Sequence, residues 1–559
     1  MADTGSIVSR VYGNFRGADF RGDEVNLSRS PDCLNVWKNY KKTASIETRP
    51  SMVMHTPFED TVHGVFFYAG AMLVHSGTRL YRVEKNAKVE LFAGLADAES
   101  QGFIYENVFY LKDGAHYIQY DGEKVKAVEG YVPTTSIARK PGGGGTVYED
   151  VNMISPYRKN TFLADGTSKD YYLDVMNLDS DFVPVVTVND KELDKSLFTV
   201  EYLAGKITFK TAPTKPLTDG QDNVVVKFKK SVQRYIDSIM GCTLLQVFDN
   251  RVFFSGNKDY PNFVWHGSLN DPAYISDMDY YREGMDSAQI KGMVAGNNAL
   301  WVFREPSEAN TNVFYHTPTL DGDYGKIYPS THSSVTIGCV GKAINFNDDI
   351  IFFSERGMEG ISGDVMTEQV AAHRSSLIDR KLISDEDYKN MLLEEWEGYL
   401  LIFLGKNVFL ADSRATFQNE NHVEYEFFYW ELSRAVTCAR VEDGVLYLGT
   451  NDGVYTLTGE GDLESYWVTP KDKFNVPHKL KTTNKRGCVV EAEGDVSVYV
   501  KIEDTGFELI DTYEDVQDYF VSRIKRKKWK DVQLKFYSQT RFRLETATLE
   551  AFIGGYIKR

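Results

Sequence analysis

Cysteine is scarce in this sequence of 559 residues. No two of its cysteines form a CxxC pair, so the pattern argues against a disulfide scaffold and against a zinc site. The five are Cys33, Cys242, Cys339, Cys438 and Cys488. This usage is typical of a protein that folds in a reducing cytosol.

Long apolar runs are also missing. No stretch approaches the roughly 20 apolar residues that a membrane-spanning helix needs. The opening sequence, MADTGSIVSRVYGNFRG, lacks the apolar region of a signal peptide. We therefore expect a soluble protein that is made in a cytoplasm and has no stable membrane association.

The sequence contains none of the short motifs that mark the common types of catalytic site. It has no HExxH, no GxSxG elbow and no P-loop, and its ten histidines are scattered. The glycine run at 142–145 follows a proline and precedes no predicted helix, which favours a flexible linker over a phosphate-binding loop. We predict that the protein is not an enzyme and holds no cofactor and no metal ion.

Positive charge is in deficit. There are 63 Lys and Arg against 80 Asp and Glu, which gives a formal net charge of −17. An acidic chain is a poor general nucleic-acid binder, because binding requires cations to neutralise phosphates. An acidic wall would instead repel DNA that passes close to it.

A hairpin signature recurs along the chain. A short apolar run leads to a turn with glycine, and an aromatic or apolar residue opens the next run. The signature reads VHSGTRLYRV at 74–83, LKDGAHYIQY at 111–120, FSERGMEGIS at 353–362, FLGKNVFLAD at 403–412 and GTNDGVYTL at 449–457. Strand repeats of this size, with 34 Tyr and 33 Phe to cover strand faces, predict an all-β protein built on a β-propeller of six or seven blades.

We divide the sequence into five segments. An N-terminal arm spans 1–56, the first blades span 57–140, an inserted small β-sandwich or barrel spans 147–231, the remaining blades span 232–469, and a C-terminal β domain spans 470–559. The segment 384–396 is the exception among the strands, because Ser384 and Asp387 resemble the capping start of a short helix.

Two groups of residues are candidates for contact with other subunits or partners. In the arm, Trp37 is a candidate anchor and Arg49 a candidate contact, although the arm could equally pack along its own propeller. Near the C-terminus the basic run comprises Arg523, Lys525, Arg526, Lys527, Lys528 and Lys530. This run could meet DNA phosphates, an acidic protein or only solvent, and the acidic chain favours a protein contact.

The arm also resembles a known family. The order SRSPDCLNVWKNY and then ETRPS, at 28–40 and 47–51, is similar to the opening of phage tail nozzle or tail-hub propellers. These are podovirus proteins of the tail tubular protein B or tail accessory (stabilisation) type. The stretches 271–286, 293–305 and 337–362 resemble the middle blades of such proteins.

The resemblance implies a structural virion protein of a phage tail. Such a protein forms a homo-oligomeric ring, commonly of six copies, that extends the DNA ejection channel below the portal and adaptor. Its partners would be the portal or adaptor, other tail proteins and, through the inserted domain, tail fibres, with genomic DNA in the channel only transiently. The family carries no catalytic residue to transfer to this sequence.

Two other functions stay open at the level of sequence. A minor tail or baseplate protein would bind a host receptor or a glycan in a shallow aromatic pocket. A tail-associated glycan hydrolase would place two carboxylates about 5 to 9.5 Å apart in a pocket.

Overall fold

The computed structural model describes residues 7–41, 45–84, 87–309, 311–322, 325–363, 367–419, 422–524 and 528–556, and all their side chains except those of 485 and 486. The chain divides into two compact units. Unit 1 combines 1–90 with 333–559, and unit 2 spans 91–332.

The first part of unit 1 is built of short strands. They are β1 (Ile7–Tyr12), β2 (Cys33–Leu34), β3 (Val36–Lys38), β4 (Ile46–Thr48), β5 (Ser51–Pro57), β6 (Val62–Tyr68), β7 (Ala71–Ser76), β8 (Arg79–Glu84) and β9 (Ala87–Ala93), which runs across the boundary at 90/91.

Unit 2 holds the next strands and one short helix. They are β10 (Gln101–Tyr105), β11 (Val108–Lys112), β12 (Tyr117–Tyr120), β13 (Val125–Ala127), β14 (Thr134–Arg139), β15 (Thr146–Val147), β16 (Tyr157–Phe162), β17 (Asp170–Tyr172), β18 (Val185–Val188), β19 (Lys191–Glu192), β20 (Phe198–Glu201), β21 (Lys206–Phe209), β22 (Val224–Lys229), α1 (Gln233–Met240), β23 (Leu244–Phe248), β24 (Arg251–Ser255), β25 (Phe263–His266), β26 (Tyr280–Arg282), β27 (Ile290–Gly296), β28 (Ala299–Arg304), β29 (Val313–His316), β30 (Thr319–Asp321), β31 (Gly325–Ile327) and β32 (Ser330–His332).

Unit 1 resumes after residue 332. Its elements are β33 (Ala343–Phe346), β34 (Asp349–Ser354), β35 (Gly357–Ser362), β36 (Val370–His373), α2 (Asp379–Leu382), β37 (Leu392–Trp396), β38 (Tyr399–Leu404), β39 (Asn407–Asn419), β40 (His422–Glu431), β41 (Cys438–Glu442), β42 (Val445–Gly449), β43 (Gly453–Gly459), β44 (Ser465–Val468), β45 (Lys479–Ile502), β46 (Glu508–Val516), β47 (Tyr519–Ser522), β48 (Lys528–Trp529), β49 (Val532–Ser538) and β50 (Phe542–Tyr556).

The recurring unit is a four-stranded antiparallel meander, the sheet of a propeller blade. Seven such sheets occur in the described part of the chain, in the orders β6-β7-β8-β9, β10-β11-β12-β13, β23-β24-β25-β26, β27-β28-β29-β32, β33-β34-β35-β36, β37-β38-β39-β40 and β41-β42-β43-β5. The predicted class, an all-β protein of propeller type, is confirmed.

The hairpin signature corresponds to one place in the blade. All five signature stretches are the hairpin between the second and third strands of a sheet, as in β7–β8 and β38–β39. The hairpin between the first and second strands often uses an Asn or Asp pair instead. At Asn297-Asn298 and Asn347-Asp348 both residues have positive φ, which is the backbone that a type I′ turn requires.

The interior strands of the blades are buried on both faces. All six residues of β38 (YLLIFL) and of β28 (ALWVFR) are buried. In most of these sheets the outermost strand carries a weaker apolar pattern: β9 and β13 have no buried residue, and such strands are hard to see in the sequence. The exception is β40, most of whose residues are buried. The last sheet takes its fourth strand, β5, from near the N-terminus, so the arm contributes to a blade.

The inserted module comprises β14 to β22. A six-stranded sheet and a three-stranded sheet enclose a separate core that includes Phe162, Tyr171, Ile207 and Phe228. Its first strand begins at Thr134, ahead of the glycine run.

The predicted helix at 384–396 is wrong. The only turns of helix nearby are α2, which ends at Leu382, and a 3-10 turn at Tyr388–Asn390. Residues Leu392–Trp396 form β37 and pair with β38 along their whole length. Pairing with a neighbouring strand outweighs the local helix preference of this acidic segment.

The arm and the C-terminal region form one sheet of 11 strands. Strands β1 and β4 pair with β50, and β2 pairs with β44. The long strand β45 curls so strongly that residues near its two ends pair with positions only three apart in the sequence. Lys481 pairs with Trp529, and Ile502 pairs with Val532. Gly494 allows this bend, because its φ is +87° and a Cβ there would lie 2.2 Å from the carbonyl oxygen of Arg541.

Candidate functional site

Trp37 does not offer an anchor to a neighbour. Its side chain is 4% exposed and stacks on Trp396, with ring centroids 5.3 Å apart. Its edge meets Trp430 at 5.8 Å. The prediction that Trp37 docks against another subunit is wrong, because the indole is already buried in the core of its own chain.

Arg49 is likewise an internal residue, so its prediction as a partner contact is also wrong. The side chain is 1% exposed. Its Nε donates to Asn35 Oδ1 at 2.9 Å and its Nη2 donates to the Glu431 carbonyl at 2.7 Å. Burial, followed by the charge of Arg541, lowers the pKa of Arg49 to about 10. Arg49 therefore fixes the path of the chain between β4 and β5.

Buried ion pairs attach the arm to the rest of unit 1. Arg29 binds Glu426 in a bidentate way, with Nε and Nη2 at 3.1 and 2.9 Å from the two carboxylate oxygens. Arg16 adds a third contact to Glu426 at 2.9 Å. Arg10 and Tyr12 both bind Asp472, at 2.8 and 3.0 Å. The partners lie 397 to 462 positions apart, so no local signal in the sequence could reveal them.

The C-terminal basic run is partly described. Lys525, Arg526 and Lys527 lie outside the described residues. Arg523, Lys528 and Lys530 are exposed, and the described part of the chain gives their side chains no ion pair. The backbone here is fixed, since Trp529 is fully buried and its Nε1 donates to Thr483 Oγ1 at 3.1 Å. Contact of Arg523, Lys528 and Lys530 with a partner stays a prediction.

One open pocket of about 720 Å³ in unit 1 brings titratable groups together. His373, at the end of β36, lies between two carboxylates. Its Nε2 is 2.7 Å from Asp379 Oδ2 and its Nδ1 is 3.4 Å from Glu359 Oε1. Ser375 Oγ donates to the other Asp379 oxygen at 2.6 Å, and Ser354 Oγ donates to Glu359 at 3.2 Å.

The charge state of this cluster follows from its contacts. Burial alone would lower the pKa of His373, but the hydrogen bonds and charges of Asp379 and Glu359 outweigh it and raise the pKa to about 10. Both ring nitrogens therefore donate, and the two carboxylates share the single positive charge of the imidazolium. Arg356 Nη2, 3.6 Å from Glu359 Oε1, supplies a second cation. Sequence reasoning missed this cluster, because Glu359, His373 and Asp379 match no spaced motif.

The described residues contain no group of three or more His, Cys, Asp or Glu side chains placed to hold a metal ion. Each of the five cysteines is buried and unbridged. Burial raises the pKa of the Cys33, Cys242 and Cys488 thiols to about 12, which makes them poor nucleophiles. Within the same residues, we find no helix with the length and apolar content to span a bilayer.

The fold defines the chain as an all-β protein with propeller-type blades. No family model and no curated protein matches it. Weak similarities link it to solved structures. BamB from Moraxella catarrhalis has a TM-score of 0.32 and 10% identity, over 78% of this chain and 94% of that one. Hsv2 from Kluyveromyces lactis has a TM-score of 0.32 and 7% identity, over 73% and 94%. A structure titled only as a glycoside hydrolase has a TM-score of 0.20 and 8% identity, over 88% and 98%. At these TM-scores the similarities carry no argument about this chain.

Proposed function

We propose that this chain is a non-catalytic structural protein of a bacteriophage tail, a nozzle or hub subunit. Copies of it would form a ring that extends the DNA ejection channel below the portal and adaptor. The family resemblance of the sequence is the starting point. The observation that best supports it is the sheet that joins the two ends of the chain.

That sheet has a mechanical consequence. Strand β1 pairs with β50 in a continuous antiparallel register, from Ile7 with Phe552 to Tyr12 with Ala547. Strand β5 closes the last blade by pairing with β43. Unfolding of unit 1 therefore has to break these long-range strand pairings. Such closure slows unfolding, which suits a part that must persist in a virion while DNA passes.

The pocket around His373 supports the non-catalytic part of the proposal. A glycan hydrolase needs one carboxyl group to act as an acid and another to act as a base or nucleophile. Here Glu359 and Asp379 are both held by one imidazolium and by serine hydroxyls. Their arrangement is that of a structural ion network that fixes α2 onto the blade.

The first experiment is mass photometry of the purified protein, with negative-stain images of any large species. Six copies of the 63.5 kDa chain would have a mass of about 381 kDa. We expect a closed ring with an open centre. A protein that stays monomeric and binds glycans in an array screen would contradict the proposal and favour a receptor-binding role.

A further inference from the structure

One buried arginine of unit 2 lacks a partner on the protein. The side chain of Arg158, on β16, is 7% exposed, and its Nε is buried without a hydrogen-bond partner. Among the described residues no carboxylate forms an ion pair with its guanidinium. A buried and unpaired charge is costly, because the protein withholds the water that would solvate it and supplies no counter-charge.

A second buried arginine of the inserted module shows the usual arrangement. Arg139, on β14, is 8% exposed. Its Nη2 donates to the Tyr172 carbonyl at 3.0 Å and its Nη1 donates to Ser136 Oγ at 3.1 Å. The contrast indicates that Arg158 is built to hold a group that is not part of the described chain.

The acids around Arg158 are engaged elsewhere. Their charges act on Arg158 from a distance, and the three are Asp174, Asp179 and Asp277. Each accepts a hydrogen bond from another group, respectively a threonine hydroxyl, a backbone amide and a tyrosine hydroxyl. Burial lowers the pKa of Arg158, and these charges offset the effect only in part. The guanidinium keeps its proton, since arginine does not deprotonate in proteins.

Arg158 lines a small cavity at the beginning of α1. The segment 151–156, Lys230 and the first turn of α1 complete its wall. The first amides of a helix have no partner within it, and Val232, the N-cap of α1, has no side chain that accepts from them. The first turn also carries no acidic residue. The orphan amides and the helix dipole both favour a negative charge here.

Two neighbours add further donors. Lys230 contributes a second positive charge, and its Nζ donates to a neutral group, the Asn177 carbonyl, at 2.7 Å. Ser155 is 5% exposed, and its Oγ accepts from the Tyr157 amide at 3.3 Å, which leaves its own proton for another acceptor. Donors from three separate segments therefore converge on one cavity.

The size of the cavity limits the ligand. The space open to the centre of a water-sized particle is about 10 Å³, which is the room that a single water molecule needs. Phosphate, sulfate and carboxylate groups are too large for this space. A water molecule would fit, but it would leave the charge of Arg158 uncompensated. A monatomic anion meets both the size and the charge.

We propose that this cavity binds a chloride ion, held by the Arg158 guanidinium, the Ser155 hydroxyl and the first amides of α1. The ion would connect β16 of the inserted module with the helix that leads into β23. It would thus act as a structural anion that fixes the module to the chain beside it. The site lies within one chain and goes beyond the proposed function, because it requires no ring.

Hydrogen exchange of the full chain tests the site. The protein is compared in sodium chloride and in sodium gluconate at equal ionic strength, because gluconate is too large for the cavity. We expect amides in 151–158 and 230–236 to exchange several-fold more slowly in chloride, since a bound ligand stabilises the state that holds it. Bromide should replace chloride, and sulfate should not.

Variants of the buried arginines locate the effect. Arg158→Met should lose the dependence on chloride, and in gluconate it should exchange no faster than the wild type, because it no longer buries a charge. Arg158→Lys keeps the charge with fewer donors and should need a several-fold higher chloride concentration. The matched control is Arg139→Met, which removes a buried guanidinium with protein partners and should keep the chloride dependence.

The outcomes are decisive in each direction. Equal exchange of the wild-type chain in chloride and gluconate would overturn the proposal, as would a chloride effect that survives in Arg158→Met. Loss of the effect in Arg139→Met would show that the ion acts through general stability. If Arg158→Met does not fold, anomalous diffraction from crystals of the wild type in bromide gives the answer: a peak in the cavity supports the site, and its absence overturns it. Ring formation should be the same in all these chains, so the two proposals fail separately.

Discussion

The arm and the inserted module are both assembled from short strands, yet they are stabilised in opposite ways. The inserted module pairs strands that are close in sequence and encloses its own core. The strands β1, β2 and β4 of the arm pair with strands that lie more than 400 residues away, and the arm shares a core with the blades and the C-terminal sheet. The difference shows which parts of the chain fold from local information and which need the whole chain.

The largest expected effect comes from isolating the two regions. A fragment of residues 131–232 should fold alone, with a cooperative urea transition and dispersed amide resonances, because its strands find their partners within the fragment. A fragment of residues 7–57 should give a random-coil circular dichroism spectrum, because an isolated short strand is not stable in water. A folded arm fragment, or an unfolded module fragment, would contradict the claim that only the module folds from local strand pairing.

This contrast also explains what could be predicted from the sequence. The hairpins between second and third strands were recognisable because their turns lie within ten residues, as at Ser76-Gly77. Most fourth strands could not be recognised in this way, since strands such as β13 show little apolar alternation. Trp37 and Arg49 looked like residues for an external partner because their internal partners, near residue 430, lie far along the chain.

Core truncation should then lower the free energy of unfolding by about 4 kcal/mol in either region, but the loss of protection should appear in different parts of the chain. Trp37→Ala removes a side chain that touches Trp396 and Trp430, and a Trp→Ala change in a core costs about 3 to 5 kcal/mol. Hydrogen exchange should show lost protection in the arm, in β37–β40 and in the C-terminal sheet.

Its matched control is Phe209→Ala, a similar loss in the core of the inserted module, where Phe209 packs against Tyr171. We expect its effect on exchange to stay within 134–231. Spread of the Phe209 effect into the arm, or confinement of the Trp37 effect to the arm alone, would show that the two cores are not organised as argued.

Loss of an ion pair should lower the free energy of unfolding by about 3 kcal/mol more in the arm than in the inserted module. Glu426→Gln leaves the buried Arg29 guanidinium without its carboxylate, and removing one partner of a buried pair costs about 3 to 5 kcal/mol. Urea unfolding should show the loss, and proteolysis should become faster in the arm.

The control for this change is Asp181→Asn, which breaks the ion pair with Lys229 on the inserted module. Asp181 is 65% exposed, and an exposed pair contributes about 1 kcal/mol or less. Equal losses in the two variants would mean that the Arg29 pair is as well solvated as the surface pair.

The smallest expected effect is a dependence on pH that only one of the two regions can show. The inserted module, 134–231, contains no histidine, whereas unit 1 holds His373 between Asp379 and Glu359. The pKa of His373 is raised from 6.5 to about 10, so the stability that its charge contributes is fully present below pH 6.5 and is lost as the pH rises toward 10. Because the side chain is 23% exposed, we expect the loss to be about 2 kcal/mol.

The measurement is urea unfolding of the wild type and of His373→Gln at several pH values between 6 and 10, so that groups common to both cancel. The stability difference between the two chains should be largest at pH 6 and should shrink steadily as the wild-type imidazolium loses its proton. The fragment 131–232 should show no such histidine-linked change. A wild-type advantage that stays constant over this range would mean that His373 acts by packing and hydrogen bonding as a neutral ring, and the two carboxylates of its pocket would then be available for chemistry.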